Sequence, residues 1–118
     1  MTPEELFAEH PLAMSVVERV GELLASLSGV EVRASRSQVA FRRRRGFAYV
    51  WLPGRYLARP DAEVVLSIAL RRRLESHRFK EVVEPSPGQW MHHLEISAAA
   101  DLDAEVAEWL RSAAESAA

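Results

Sequence analysis

Val39-Ala-Phe-Arg-Arg-Arg-Arg-Gly-Phe-Ala-Tyr-Val-Trp51 sets two alternating runs on either side of a basic, glycine-containing break. Val39 and Phe41 alternate with Ala40 and Arg42, and Phe47, Tyr49 and Trp51 alternate with Ala48 and Val50, the period-two pattern of half-buried strands. Arg44-Arg45-Gly46 lies between the two runs, so the segment predicts a β-hairpin with a basic tip and Gly46 at a position needing positive φ. Upstream, Val30 and Val32 alternate with Glu31 and Arg33 as another short strand. Before it, Val16, Val17, Val20, Leu23, Leu24 and Leu27 recur at helical spacing after Pro11, with Gly29 closing the helix. Thr2-Pro3-Glu4-Glu5 predicts a capped helical start.

Downstream, Pro53-Gly54 ends the hairpin, and Arg59-Pro60-Asp61 turns the chain into the unbroken apolar run Val64–Leu70, read as a central strand. Phe79–Glu84 is read as an edge strand, and Pro85–Gly88 turns it into Gln89–Ile96. Asp101 is expected to cap a last helix whose stripe is Leu102, Val106, Trp109, Leu110 and Ala113. The final Ser112–Ala118, rich in alanine, is expected to fray. This order predicts a single α+β domain over residues 1–118, an antiparallel sheet of about five strands with the N-terminal and C-terminal helices packed on one face.

Charge is sorted along this framework. Residues 31–80 carry a net +9 and the flanks −11, although the whole chain sums to −2. Such segregation emerges either as a basic surface or as internal docking of basic on acidic segments. The absence of cysteine excludes disulfides, thiolate zinc sites and cysteine nucleophiles. The acidic start lacks a signal-peptide pattern, and Glu18, Arg19 and Glu22 interrupt the longest apolar stretch well short of the roughly 20 residues needed to span a bilayer, so a cytoplasmic protein without membrane association is expected. No Gly-x-Ser-x-Gly, P-loop, Gly-x-Gly-x-x-Gly or His-Glu-x-x-His motif is present, which favours a binding module over an enzyme.

The anion-binding candidates are Arg42, Arg43, Arg44 and Arg45 at the hairpin, with Arg71, Arg72, Arg73 and Arg78 after the central strand. Combined with aromatic faces, such arginines suit nucleic acid or another polyanion. Uninterrupted alternation, however, places Phe41, Phe47, Tyr49 and Trp51 together facing the core, and it lets at most half of Arg42–Arg45 face one ligand. The two clusters act together only if strand order brings them together. The competing account pairs the arginines with Glu4, Glu5, Glu9, Asp101, Asp103, Glu105 and Glu108, within the chain, across a homodimer or against a protein partner.

A third account places a small molecule or metal in a pocket formed from Tyr49, Trp51, Trp90, His92 and His93. Adjacent strand residues project to opposite faces, so His92 and His93 do not share one ion, and no metal or cofactor is expected from them. Trp90, His92, Leu94 and Ile96 are expected to face the core, with Met91, His93 and Glu95 on the other face.

The segments Ser37–Trp51, Pro87–Ile96 and Asp101–Leu110, above all the Trp90-Met-His-His93 strand followed by an aspartate-capped helix, resemble an uncharacterised bacterial domain family of unknown function. The resemblance covers about Ser35 to Arg111 and implies an accessory binding role, since related domains look like modules attached to nuclease-like or transport-like proteins. The terminal helix departs from it by ending in alanines. The order of helix, sheet and helix is also similar to YdhG-type and frataxin-like domains. By that analogy Glu4, Glu5, Glu9, Glu18 and Glu22 would handle iron.

Overall fold

The computed structural model describes all 118 residues. Thr2 and Glu5 exchange the two hydrogen bonds of a capping box around α1 (Pro3–Leu6), and Pro11 opens α2 (Pro11–Leu23). Beyond Leu23 the chain tightens into three-residue turns, with Ala25 N–H on the Glu22 carbonyl and Leu27 N–H on the Leu24 carbonyl. Gly29, at φ 74°, thus turns the chain into the first strand and does not itself end the helix.

Six antiparallel strands follow, one more than expected: β1 (Glu31–Ala34), β2 (Val39–Arg42), β3 (Gly46–Trp51), β4 (Val64–Leu70), β5 (Glu81–Ser86) and β6 (Gln89–Ile96). Their order is β1-β2-β3-β4-β6-β5. The first four form a meander, and the β5–β6 hairpin then places β6 against β4 and leaves β5 at the edge. β4, flanked by β3 and β6 in the middle of the sheet, is buried along its whole length, in keeping with its unbroken apolar run.

One face of the sheet carries α2 and α3 (Ala104–Ser116), sealing one core of 25 buried residues. Val16, Val20, Val106 and Leu110 meet Val39, Val50, Leu66, Ile68 and Leu94 there. Each large apolar side chain so buried contributes about 1.5–3 kcal/mol. The helix cap is Asp103, whose carboxylate accepts from Val106 N–H; Asp101 instead accepts from Ser97 and Ala98 N–H and holds the 3-10 turn before the helix.

The β2–β3 pairing contains the feature that strict alternation misses. Phe41 pairs with Ala48 but Arg42 pairs with Gly46, so Phe47 is an extra residue in β3. Such a bulge resets the parity of the strand. Phe41, Phe47, Ala48 and Val50 all join the core, while Tyr49 and Trp51 turn to the helix-free face, correcting the expectation that all four aromatics face inward. Gly46 does not adopt positive φ. Its missing side chain makes room for the Tyr49 hydroxyl, onto which an added Cβ would fall.

The Arg71–Lys80 connection lies against the core through Leu74 and Phe79, and buried His92 fastens it. Leu74 N–H donates to His92 Nε2 at 3.0 Å, so His92 Nδ1 carries the proton and donates to the Ile68 carbonyl at 3.2 Å. Phe79 packs between the rings of His92 and Trp109, with centroids at 4.8 and 4.7 Å. Burial holds the His92 imidazole below the ordinary histidine range.

Two outcomes follow from this architecture. Gly46→Ala is expected to destabilise the fold by about 1–3 kcal/mol through overpacking, and Tyr49→Val on that background to recover most of the loss, read by urea denaturation. A histidine with a depressed folded pKa binds fewer protons than its unfolded counterpart, so its stabilisation is complete above the unfolded value near 6.5 and declines as pH falls towards the folded one. Wild type should lose stability as the pH falls below about 6.5. His92→Gln should cost about 1–3 kcal/mol at pH 7 and flatten that slope.

Candidate functional site: the basic end of the sheet

The β2–β3 turn, the exit of β4, the β5–β6 turn and the C-terminus of α3 all lie at one end of the sheet, as the registers Arg42 with Gly46, Ala48 with Ile68, and Leu70 with Trp90 require. Arg45 and Arg71 therefore line one small niche together with Gly88, Gln89, Ser116 and Ala117. The two arginine clusters, separated in sequence by β3 and β4, meet.

Their guanidiniums do different things. Arg43 donates to the carbonyls of Ser28 and Ala114 at 3.1 and 3.0 Å, and Arg45 donates to that of Ser116 at 3.0 Å. The Arg44 backbone N–H donates to the Ala117 carbonyl at 2.7 Å. A helix ends with carbonyls that lack intrahelical donors and carry partial negative charge; the basic turn supplies donors to those of Ser116 and Ala117 and adds one to that of Ala114, which also accepts from Ala117 N–H. Ala113, Ala114 and Ala117 are buried beneath this contact, so the alanine-rich segment expected to fray is helical to Ser116.

Arg78 sits at the other end of α3. It donates to Asp103 and Glu105 at 3.1 and 2.8 Å and to the Asp101 carbonyl at 2.9 Å, and its guanidinium lies 5.7 Å from the centre of the Trp109 ring. Hydrogen bonding to these carboxylates raises its pKa above the usual arginine range and holds the Asp103 carboxyl below its own. Arg73 pairs with Glu75 at 3.5 Å and lies over Trp90.

Arg42, Arg44, Arg71 and Arg72 remain, with no hydrogen bond or ion pair from their guanidiniums. Arg44, Arg71 and Arg72 are exposed and Arg42 half-buried. A cleft of about 390 Å³ beside Arg71 and Arg72 is walled by Trp109, Ser112, Glu105 and Glu108 of α3, whose carboxylates moderate the positive field on that side.

The pocket candidates divide between the faces. His92 is buried in the core, as expected, whereas Trp90, on the same side of β6, is only half-buried beneath Arg73 and stands outside the core, and Tyr49, Trp51 and His93 lie on the helix-free face. There Trp51 Nε1–H donates to Ser67 Oγ at 2.8 Å, and Ser67 is 2.6 Å from His93 Nδ1. Ser67 was not among the residues singled out from sequence, yet it is the one polar residue in the apolar run of β4, and a hydroxyl in a wholly buried strand needs partners. Burial lowers the His93 pKa, against a smaller raising effect of Glu81. Nowhere do three or more histidine, aspartate or glutamate side chains converge as a metal site, so Glu4, Glu5, Glu9, Glu18 and Glu22 form no such cluster. No helix is long and apolar enough to cross a membrane.

No curated protein matches the chain, and no solved structure does. One family model matches, over residues 4–117. Its span takes in α1 to α3, including both arginine clusters and the Trp90–His93 strand. The chain belongs to the family described as a domain of unknown function, DUF5655.

Proposed function

We propose that the basic end of the sheet is a polyanion-binding surface, with nucleic acid as the partner, and that the domain acts as a binding module. The observation that carries this reading is that strand order sets the β2–β3 turn beside the exit of β4, where Arg45 and Arg71 share one niche, while Arg42, Arg44, Arg71 and Arg72 of these two segments have no internal acceptor. An arginine without an internal partner keeps its planar fork of donors free for phosphate oxygens. Rigid elements hold the cluster, because the turn that bears Arg42 and Arg44 is fastened to the end of α3 by Arg43 and Arg45.

That division dictates the test. Replacing all of Arg42–Arg45 would unfasten α3 along with any ligand, so the informative variant is Arg42→Glu, Arg44→Glu, Arg71→Glu and Arg72→Glu, with Arg43 and Arg45 kept. Fluorescence anisotropy with labelled single- and double-stranded DNA and RNA should show wild-type binding that weakens roughly 100-fold between 50 and 200 mM salt, as expected for about four neutralised phosphates. The folded variant should bind at least tenfold more weakly at the lower salt. Salt-independent binding, or none from the folded wild type at low salt, would overturn the reading. Concentration-dependent sedimentation at low salt would then identify pairing of this end with the acidic helices of a second copy.

A further inference from the structure

The helix-free face carries a cleft distinct from the basic end. Trp51, Pro53, Leu57, Arg59, Lys80 and His93 are among the walls of a cleft of about 260 Å³, floored by Val65. Its geometry rests on a hydrogen-bond chain whose direction follows from chemistry. An indole N–H only donates, so the Ser67 oxygen accepts from Trp51. The buried Ser67 hydroxyl has one other partner, His93 Nδ1 at 2.6 Å, and it must donate there or leave its proton unpaired. Nδ1 is thus an acceptor, and in the neutral ring the proton resides on Nε2, which has no partner within the protein.

The chain therefore does two things at once. It fixes Trp51 as an aromatic wall, with its ring 5.9 Å from that of His93 and at 81° to it, and it leaves the Nε2–H of a neutral His93, itself a lining residue of the cleft, without an internal acceptor. Trp51, Pro53, Leu57 and Val65 give the cleft apolar contact surface among its charged side chains, and His93 adds one prearranged neutral donor, a combination that suits a small ligand. The volume suits a single ring system. The charges around it, Arg59 and Lys80 against Asp61, Glu81 and Glu95, come to about −1, and Lys80 is held by Asp61 at 2.8 Å. This cleft, unlike the basic end, offers no field that favours an anion.

We infer that the Trp51–His93 cleft binds an uncharged planar heteroaromatic molecule whose carbonyl or ring nitrogen accepts the His93 Nε2–H. The basic-end reading is independent of it, since none of Arg42, Arg44, Arg71 or Arg72 lines the cleft.

The test is an NMR titration of the full chain with nicotinamide and uracil as probes and nicotinate as the anionic counterpart, following the Trp51 indole N–H and the His93 ring nitrogens. The expected result is saturable shifts of both groups with the neutral probes, at least fivefold weaker binding of nicotinate, and at least tenfold weaker binding to His93→Phe, which keeps the ring and removes the donor. In the free wild type above pH 7 the ring shifts should show Nε2 protonated and Nδ1 bare, a readout that survives if the variant fails to fold. Absence of saturable shifts at these groups, preference for nicotinate, or a proton on Nδ1 would each overturn the inference.

Discussion

One inserted residue governs the distribution of chemistry over this domain. Without the bulge at Phe47, β3 would alternate in step with β2, and Tyr49 and Trp51 would enter the core behind Phe41. With it, Phe47 and Ala48 both serve the helix-packed face, and the two remaining aromatics of β3 pass to the other side. The insertion sits beside Gly46, the residue without which the Tyr49 hydroxyl would have no room. A bulge costs ladder hydrogen bonds locally, and here the loss is offset by a fully buried phenylalanine.

The same turn sets the position of α3. Backbone and guanidinium donors from Arg43–Arg45 meet the last carbonyls of the helix, while Arg78 takes the carboxylates at its first turn. Both contacts agree with the helix dipole: positive groups stand at the C-terminus, and acidic residues stand at the N-terminus before Arg78 engages them. Three of the thirteen basic residues between Glu31 and Lys80, namely Arg43, Arg45 and Arg78, are therefore consumed in docking one helix across the sheet. What is left over, at the exposed end, is a smaller and better-defined basic surface than the arginine count suggests.

The two faces of β6 show how neighbouring histidines acquire unlike roles. His92, among Phe79, Ile68 and Leu74, is a neutral Nδ1–H tautomer that binds a connecting segment to the core. His93, one residue on, is made a neutral Nε2–H tautomer by Ser67 and faces a cleft. Burial keeps both uncharged near neutral pH. The hydrogen-bond partner of each ring, supplied by a distant part of the chain, decides which nitrogen donates.

Much of the fold was legible in local pattern. Period-two alternation marked the strands, the apolar Val64–Leu70 run marked a buried central strand, and Thr2 with Pro3 marked the first helix start. The opposite facing of His92 and His93 followed from strand geometry alone. Boundaries depending on side-chain partners were less legible: Asp101 was read as the cap of the last helix, whereas a 3-10 turn takes Asp101 and leaves Asp103 to cap it. The bulge was invisible, because a strand with one extra residue has the same composition as one without it. Element types, the antiparallel α+β class and the sorting of charge are written locally in the chain, since each follows from side-chain period and residue identity over a few neighbours. Tertiary structure alone decided the strand order that joins the two arginine clusters, the division of those arginines into fastened and free, and the Trp51–Ser67–His93 chain. Each of these depends on contacts between residues far apart along the chain, whose partners local pattern does not specify.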